Sequence, residues 1–315
     1  MSSITSLSIC ARVTLDMHSL NNEGSEGNQL QTRMVHIVDQ KGELAVTNAI
    51  SGDMLKHIQN ENYIEIAKEE ELKLCSGCAR VNANRINVDR DFFTLIEKLD
   101  NKDNIGTLRE LLKYCAGDDV EGILITEGKR SVARKSTVEF GWLVGIPEQT
   151  RSESYFHVKF DPEGRGGGSG SEDGSNTGQT IFYRPANSGV YAMVLNLELD
   201  RVGFHDITRE YVIDDEERSK RQKALIQSVL HTFIKLAGAH RNTQHPHLIN
   251  MTGVVTTSRN MTPAPTISPL KDSFIKEIVS VKEQLNRWSG NDVQCREFTN
   301  LAEFVQVMTD VAETL

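Results

Sequence analysis

Two cysteines three residues apart, Cys75 and Cys78, stand in the run Leu74-Cys-Ser-Gly-Cys-Ala-Arg80. That spacing supplies half of a tetrahedral zinc site or a redox thiol pair, and it is also met as two inert thiols in a loop. No second Cys-x-x-Cys exists, and Cys115 becomes a third ligand only if the segment between folds back. A second group is Ser51 with Lys56 and His57. A strand-like run from Glu43 to Ile50 precedes it and helical spacing follows it. Ser51 or Asp53 can therefore cap a helix whose free amides make a seat for phosphate. An ordinary strand-turn-helix carries the same signature. Lys129-Arg-Ser-Val-Ala-Arg-Lys135 has four basic residues in seven, which makes it either a solvated loop or a phosphate contact. Three histidines lie between His240 and His247 without a neighbouring carboxylate or cysteine. A polar loop that meets phosphates or bases fits them better than a metal.

The elements that must position these groups follow from periodicity. Leu7, Ile9, Ala11, Val13 and Leu15 alternate along a half-buried strand, and residues 17–32 read as a long polar loop. Residues 33–38 and 43–50 read as strands joined by a tight turn at Gly42. Residues 59–120 read as a mostly helical insertion with helices near 89–99 and 107–115. Strands follow at 122–126 and 138–146, the latter ended by Pro147. Residues 155–160 and 179–184 form two strands, and Gly164 to Gly178 between them carries seven glycines. That pairing describes a β-hairpin arm, and Phe156, Phe160, Phe182 and Tyr183 are either its own packing or a platform for bases. A strand at 188–200, a helix at 216–237, a strand at 248–257, a helix at 269–288, and a last strand and helix complete the order. The whole reads as one α+β domain over 1–315: an antiparallel, ferredoxin-like (RNA-recognition-like) sheet core. Its two insertions are the helical one at 59–120 and the arm at 148–188.

Composition narrows the function. A chain of 315 residues with 38% hydrophobic and 25% charged residues buries a full core. No apolar run reaches the length of a membrane span, and Met1 to Thr14 does not read as a secretory signal. Five cysteines in a chain of this length do not read as a disulfide framework, so the expected home is a reducing cytoplasm. A net charge of −9 excludes a generally basic nucleic-acid binder, so any such binding follows a local track.

Four motifs in order carry a resemblance: Ser8-Ile-Cys-Ala-Arg-Val13, Ser19-Leu-Asn-Asn22, Ala49-Ile-Ser-Gly-Asp-Met-Leu-Lys-His57 and Ser188-Gly-Val-Tyr191. Together they resemble the DevR-type Cas seven family, the repeated backbone subunits of Type I CRISPR Cascade complexes. The resemblance implies a palm with a helical insertion and a protruding hairpin thumb, here Arg151 to Arg184. It implies copies stacked head-to-tail along a guide RNA, with the other Cascade subunits, target DNA paired through the guide, and cutting by a recruited helicase-nuclease. It places Asn21, Arg33, Ser51, Lys56, His57, Phe182, Arg184, His240, Arg241 and Gln244 near the guide. It implies no enzymatic activity and no cofactor, a zinc at Cys75 and Cys78 aside. The glycine-rich arm and the histidine-rich loop depart from the family pattern.

Two other classes remain open to test. Related Type III subunits cleave RNA with a loop aspartate, for which Asp16 is the candidate here. A DNA-binding regulator would need a basic recognition helix, and no helix-turn-helix is visible.

Overall fold

The computed structural model describes residues 4–27, 29–160, 179–238 and 241–315. The glycine-rich segment Gly164 to Gly178 and His240 lie outside the described residues. The strands are β1 (Ile4–His18), β2 (Asn22–Glu26), β3 (Gln29–Thr32), β4 (Met34–Val38) and β5 (Leu44–Ile50), followed by α1 (Gly52–Glu69). Helices α2 (Arg90–Leu95), α3 (Asn104–Tyr114) and α4 (Ala116–Glu121) follow. Then come β6 (Ile123–Ile125), β7 (Val132–Arg134), β8 (Val138–Phe140), β9 (Leu143–Phe160) and β10 (Gln179–Glu198). The chain continues through β11 (Phe204–His205), β12 (Glu210–Tyr211), α5 (Asp215–Ile234), β13 (His247–Arg259), α6 (Phe274–Ser289), β14 (Val293–Phe298) and α7 (Leu301–Glu313).

The main sheet runs β14-β13-β1-β10-β9-β5-β4 through antiparallel neighbours. At its centre β1 lies between β10 and β13, so its two-residue alternation is buried as the sequence predicts: Leu7, Ile9, Ala11, Val13 and Leu15 are all inaccessible. They join a core with Ile50, Leu55, Tyr63 and Ile64 around α1, with Leu225, Val229 and Phe233 of α5, and with Phe304 of α7. Gln59 Nε2 donates to Ser228 Oγ (2.8 Å) between α1 and α5. The other face of β1 is covered too. Cys10 packs with Val254, Phe274 and Ile278, while Ser8 Oγ and Arg12 Nε donate to the carbonyls of Pro265 and Pro269. An open sheet platform for stacked bases is therefore absent over β1.

Two expectations about elements are corrected. The stretch read as a loop over 17–32 contains the β2–β3 hairpin, and Gln29 of β3 pairs with Tyr183 of β10. Its residues are polar and largely exposed, so pairing at an edge makes these strands without hydrophobic alternation. Pro147 does not end a strand, because β9 runs through it. The ladder slips between Gly145–Tyr191 and Thr150–Gly189, and a proline without an N–H is tolerated in that bulge. Gly189 sits at φ +149°, and a Cβ there would meet Gln149 O at 2.4 Å.

Helix α1 continues to Glu69, and a stretch of shorter helices and strands follows over 70–134. That segment is drawn together by buried ions. Asp119 of α4 accepts from Arg134 (2.7 Å), from Arg221 of α5 (2.8 Å) and from the Gly203 amide (2.9 Å). All three side chains are inaccessible. Arg130 is buried likewise and donates to Thr107 Oγ1 and the carbonyls of Ile96, Leu99 and Asp100. The basic run 129–135, read as a candidate phosphate contact, thus spends both its arginines inside the fold. Asp119→Ala leaves two buried guanidiniums without their shared counter-charge. The expected loss is about 3–5 kcal/mol in urea unfolding, and a loss below about 1 kcal/mol would show that water screens the site.

Candidate nucleic-acid interface

The start of α1 is built by Ser51 and Asn21. Ser51 is extended (φ −69°, ψ 143°), and its hydroxyl accepts from the Met54 amide. The Ser51 amide in turn donates to Asn21 Oδ1 (3.0 Å). Both residues are buried, so each is occupied in shaping the turn. Gly52 is required because a Cβ would lie 2.7 Å from Phe140 O. Beside the turn lies a cleft of about 430 Å³ lined by Leu20, Asn21, Arg33, Met54, His57, Ile58, Glu61, Ala237 and Gly238. Arg33 lies over the Trp142 ring at 5.2 Å, and the exposed His57 faces Glu61 at 3.3 Å. Lys56, expected beside this seat, lies elsewhere. Its ammonium donates to Ser136 Oγ and Val138 O and sits 3.9 Å from the buried Glu121. Burial lowers its pKa.

The second group sits on the ribbon of β9 and β10, which pair as far as Phe160 and Gln179. Alternation sorts its side chains. Phe182 stacks on His157 (5.5 Å, 11°), and the Arg184 guanidinium lies 4.7 Å from the Phe182 centroid. Phe156 and Tyr183 form a T-shaped pair at 5.8 Å, and with Val158 and Ile181 they are exposed. The loop after α5 docks here: Arg184 Nη1 donates to Thr243 Oγ1 (3.1 Å) and Gln244 Nε2 to Pro185 O (3.1 Å). Arg241 reaches back to Leu236 O (3.5 Å). Arg184 Nε and Gln244 Oε1 are buried and have no partner among the described residues.

Two chain segments join the groups. Leu20, Asn21 and Arg33 line the cleft, and Gln29 between them in sequence meets Tyr183 of the ribbon. Ala237 and Gly238 line the cleft, and Thr243 and Gln244, a few residues on, meet Arg184 and Pro185. Cleft and ribbon are thus parts of one band. Sequence reasoning did not single out Thr243, which takes its place only through tertiary docking.

A family model described as CRISPR-associated negative auto-regulator DevR/Csa2 matches residues 9–279. The chain belongs to the DevR/Csa2 family. It is 27% identical over 254 residues to a CRISPR-associated protein Cas7/Cst2/DevR of Methanocaldococcus jannaschii, covering 76% of this chain and 77% of that protein. Its fold is similar to a chain of a CRISPR RNA-guided surveillance complex in a pre-nicking state (TM-score 0.51, 12% identity, 99% of this chain and 100% of that one). A chain of another CRISPR RNA-guided surveillance complex is similar with a TM-score of 0.50, 13% identity and the same coverage.

The polar anchors of this DevR/Csa2 chain lie below the band. Asn187 Nδ2 donates to His18 O (3.2 Å), Asn48 Nδ2 to Ser152 Oγ (3.0 Å), and the Met17 amide to Ser188 Oγ (3.0 Å). The Leu20 amide donates to His18 Nδ1, so His18 Nε2 carries the proton and donates to Tyr191 OH (2.8 Å). The Ser188-Gly-Val-Tyr191 motif is therefore the inner wall that fixes β1 against the ribbon.

Other surfaces of the DevR/Csa2 chain differ in character. A cleft of about 820 Å³ is lined among others by Glu139, Glu198, Asp200 and Asp206 against Arg201 and Arg209, four carboxylates to two guanidiniums, which disfavours a phosphate. Asp16 lies two residues before the end of β1 with its backbone paired to His247. Among the described residues, the one group of three or more His, Cys, Asp or Glu side chains close enough to share a metal is Cys75, Cys78, Cys115 and Asp118. No helix among the described residues is long and apolar enough to cross a membrane.

Burial pushes His18 down to about 4 from 6.5. A folded pKa below the unfolded one gives stability that is complete above about pH 6.5 and lost as the pH falls toward about 4. The expected loss across that window is roughly 3 kcal/mol, read from urea midpoints against pH. His18→Asn flattens that part of the profile, and a variant with the wild-type slope would count against the assignment.

Proposed function

We propose that this chain is the guide-RNA-binding backbone subunit of a Type I CRISPR surveillance complex, with copies laid head-to-tail along the guide. Family membership and the shared fold support the class. The observation that carries the RNA assignment is the band from the cleft of Asn21, Arg33 and His57 to the ribbon of Phe182 and Arg184. Cationic and amide groups there offer contacts to phosphate and sugar, and the exposed aromatics of the ribbon offer faces for bases. A ferredoxin-like palm is supported by the central order β13-β1-β10-β9 with α1 and α5 on one face. In this reading the ribbon is the thumb that folds over the guide.

The acidic whole is compatible with this role. A subunit that holds the guide by its backbone leaves sequence recognition to base pairing between guide and target DNA. A narrow track suffices, and the remaining carboxylates face solvent or partner subunits. The role assigned here is binding, with DNA cut by a recruited helicase-nuclease. Ser51 and Asn21 present the helix start, Lys56 braces α1 from behind, and Gln244 and Arg241 fix the loop whose neighbour His240 lies outside the described residues.

The deciding experiment is purification without nuclease. Co-purifying RNA and a large apparent size in gel filtration that collapses on RNase treatment are expected, either alone or on adding guide RNA and partner subunits. Failure to bind guide in the presence of those partners would overturn the proposal. Arg184→Ala is expected to weaken guide binding by about 1 kcal/mol and to lower the salt slope by about one, measured by anisotropy at several salt concentrations. An unchanged slope removes Arg184 from the phosphate contacts.

A further inference from the structure

We infer that Cys75, Cys78, Cys115 and Asp118 form a closed structural zinc site that clasps the insertion. The four donor atoms lie within 4.8 Å of one another and all four side chains are buried. Cys75 Sγ and Cys78 Sγ stand 3.2 and 3.5 Å from Asp118 Oδ2. A tetrahedral zinc with Zn–S near 2.3 Å and Zn–O near 2.1 Å needs S···O of about 3.6 Å and S···S of about 3.8 Å, so the donors close round the ion with small adjustments.

Three further observations point to a cation. Asp118 Oδ1 is buried without a hydrogen-bond partner among the described residues, a costly state for a carboxylate. Backbone amides of Cys75 and Asp118 point at Cys115 Sγ (3.2 and 3.4 Å), and the Cys78 amide points at Cys75 Sγ (3.2 Å). Such N–H···S contacts stabilise thiolates and orient metal ligands. The backbone has also been cleared for the approach: a Cβ on Gly117 would lie 2.9 Å from Cys78 Sγ, and one on Gly77 would lie 2.0 Å from Arg85 O.

The donor set selects the metal. Three soft sulfurs and one carboxylate oxygen in a small tetrahedral cage suit zinc and exclude calcium or magnesium. Four protein ligands leave no open position for water, so the ion is structural. It joins the turn at 75–78 to the start of α4, two segments with only short helices between them. Binding requires loss of the thiol protons to solvent as the ion enters, and no oxidant or reductant is involved.

The test uses the full chain, expressed with zinc and purified without chelator, and it is independent of RNA. Elemental analysis and native mass spectrometry are expected to give about one zinc per chain. Asp118→Asn and the double variant Cys75→Ser/Cys78→Ser are expected to hold zinc at least about tenfold more weakly against a chromophoric chelator. If those variants fail to fold, cobalt exchanged into the wild-type chain supplies the second readout: thiolate charge-transfer bands with tetrahedral d–d bands are expected. A metal-free wild-type chain after zinc exposure would overturn the inference, as would a Cys75–Cys78 disulfide, seen as a mass lighter by two hydrogens. A folded double variant that keeps its zinc would overturn it as well.

Discussion

One buried carboxylate ties together segments of the chain that lie far apart in sequence. Asp119 accepts from Arg134 of β7, from Arg221 of α5 and from the amide of Gly203. A lone buried ion would be excluded by desolvation, so each member of the set exists only because the others do. The consequence reaches far along the chain: α4 is fixed against α5, the strand pair β6–β7 is anchored through Arg134, and the turn after β10 is pinned by Gly203. Cys115 caps the short helix on which Asp118 and Asp119 stand, so the cysteine cluster and the ionic cluster share one support. The helix carrying them, Ala116–Glu121, is wholly buried.

The same logic of mutual support governs the band between cleft and ribbon. The sheet cannot offer its face, since α1, α5 and α7 occupy one side of β1 and α6 with the loop before it occupies the other. What remains is the end of the sheet, where β1 bulges at Leu15–His18 and three segments meet. Buried amides and hydroxyls hold that end beneath the ribbon and its exposed aromatics Phe156 and Tyr183. Polar groups with fully paired partners make a stiff floor.

Much of this was legible from residue types alone. The alternation of Leu7 to Leu15 gives the central strand, the apolar stripe from Leu225 to Phe233 gives α5, and Ser51 before Gly52 gives the start of α1. Patterns that depend on local spacing survive into the structure because burial enforces the same period. The rest failed where tertiary contact decided the matter. Arg130 and Arg134 read as part of a solvated loop or a phosphate contact because a charged run has no signature for burial. The acidic helix 116–121 has none either, and nothing local reveals that Asp119 will meet two arginines. Lys56 lies one turn past the cap, yet the helix turns it toward Glu121. Cys75 and Cys78 were visible as a pair, whereas the convergence of Cys115 and Asp118 needed α3 and α4 to fold back.

The bulge at the root of the ribbon sets a rule for how this protein can change length. From Gly189 outward, side chains alternate strictly between the Phe182–Arg184 side and the Ile181–Tyr183 side. Adding or removing a single residue between Gly145 and Thr150, or beside Gly189, would turn the ribbon over and exchange those two faces along its entire length. Length can vary between Phe160 and Gln179 without that exchange, because a change there leaves the pairing from Phe160–Gln179 down to the root in register. Descendants of this chain should therefore differ freely in the size of that connection while keeping the residue count at the root unchanged, a grammar of insertion written by strand pairing rather than by any one side chain.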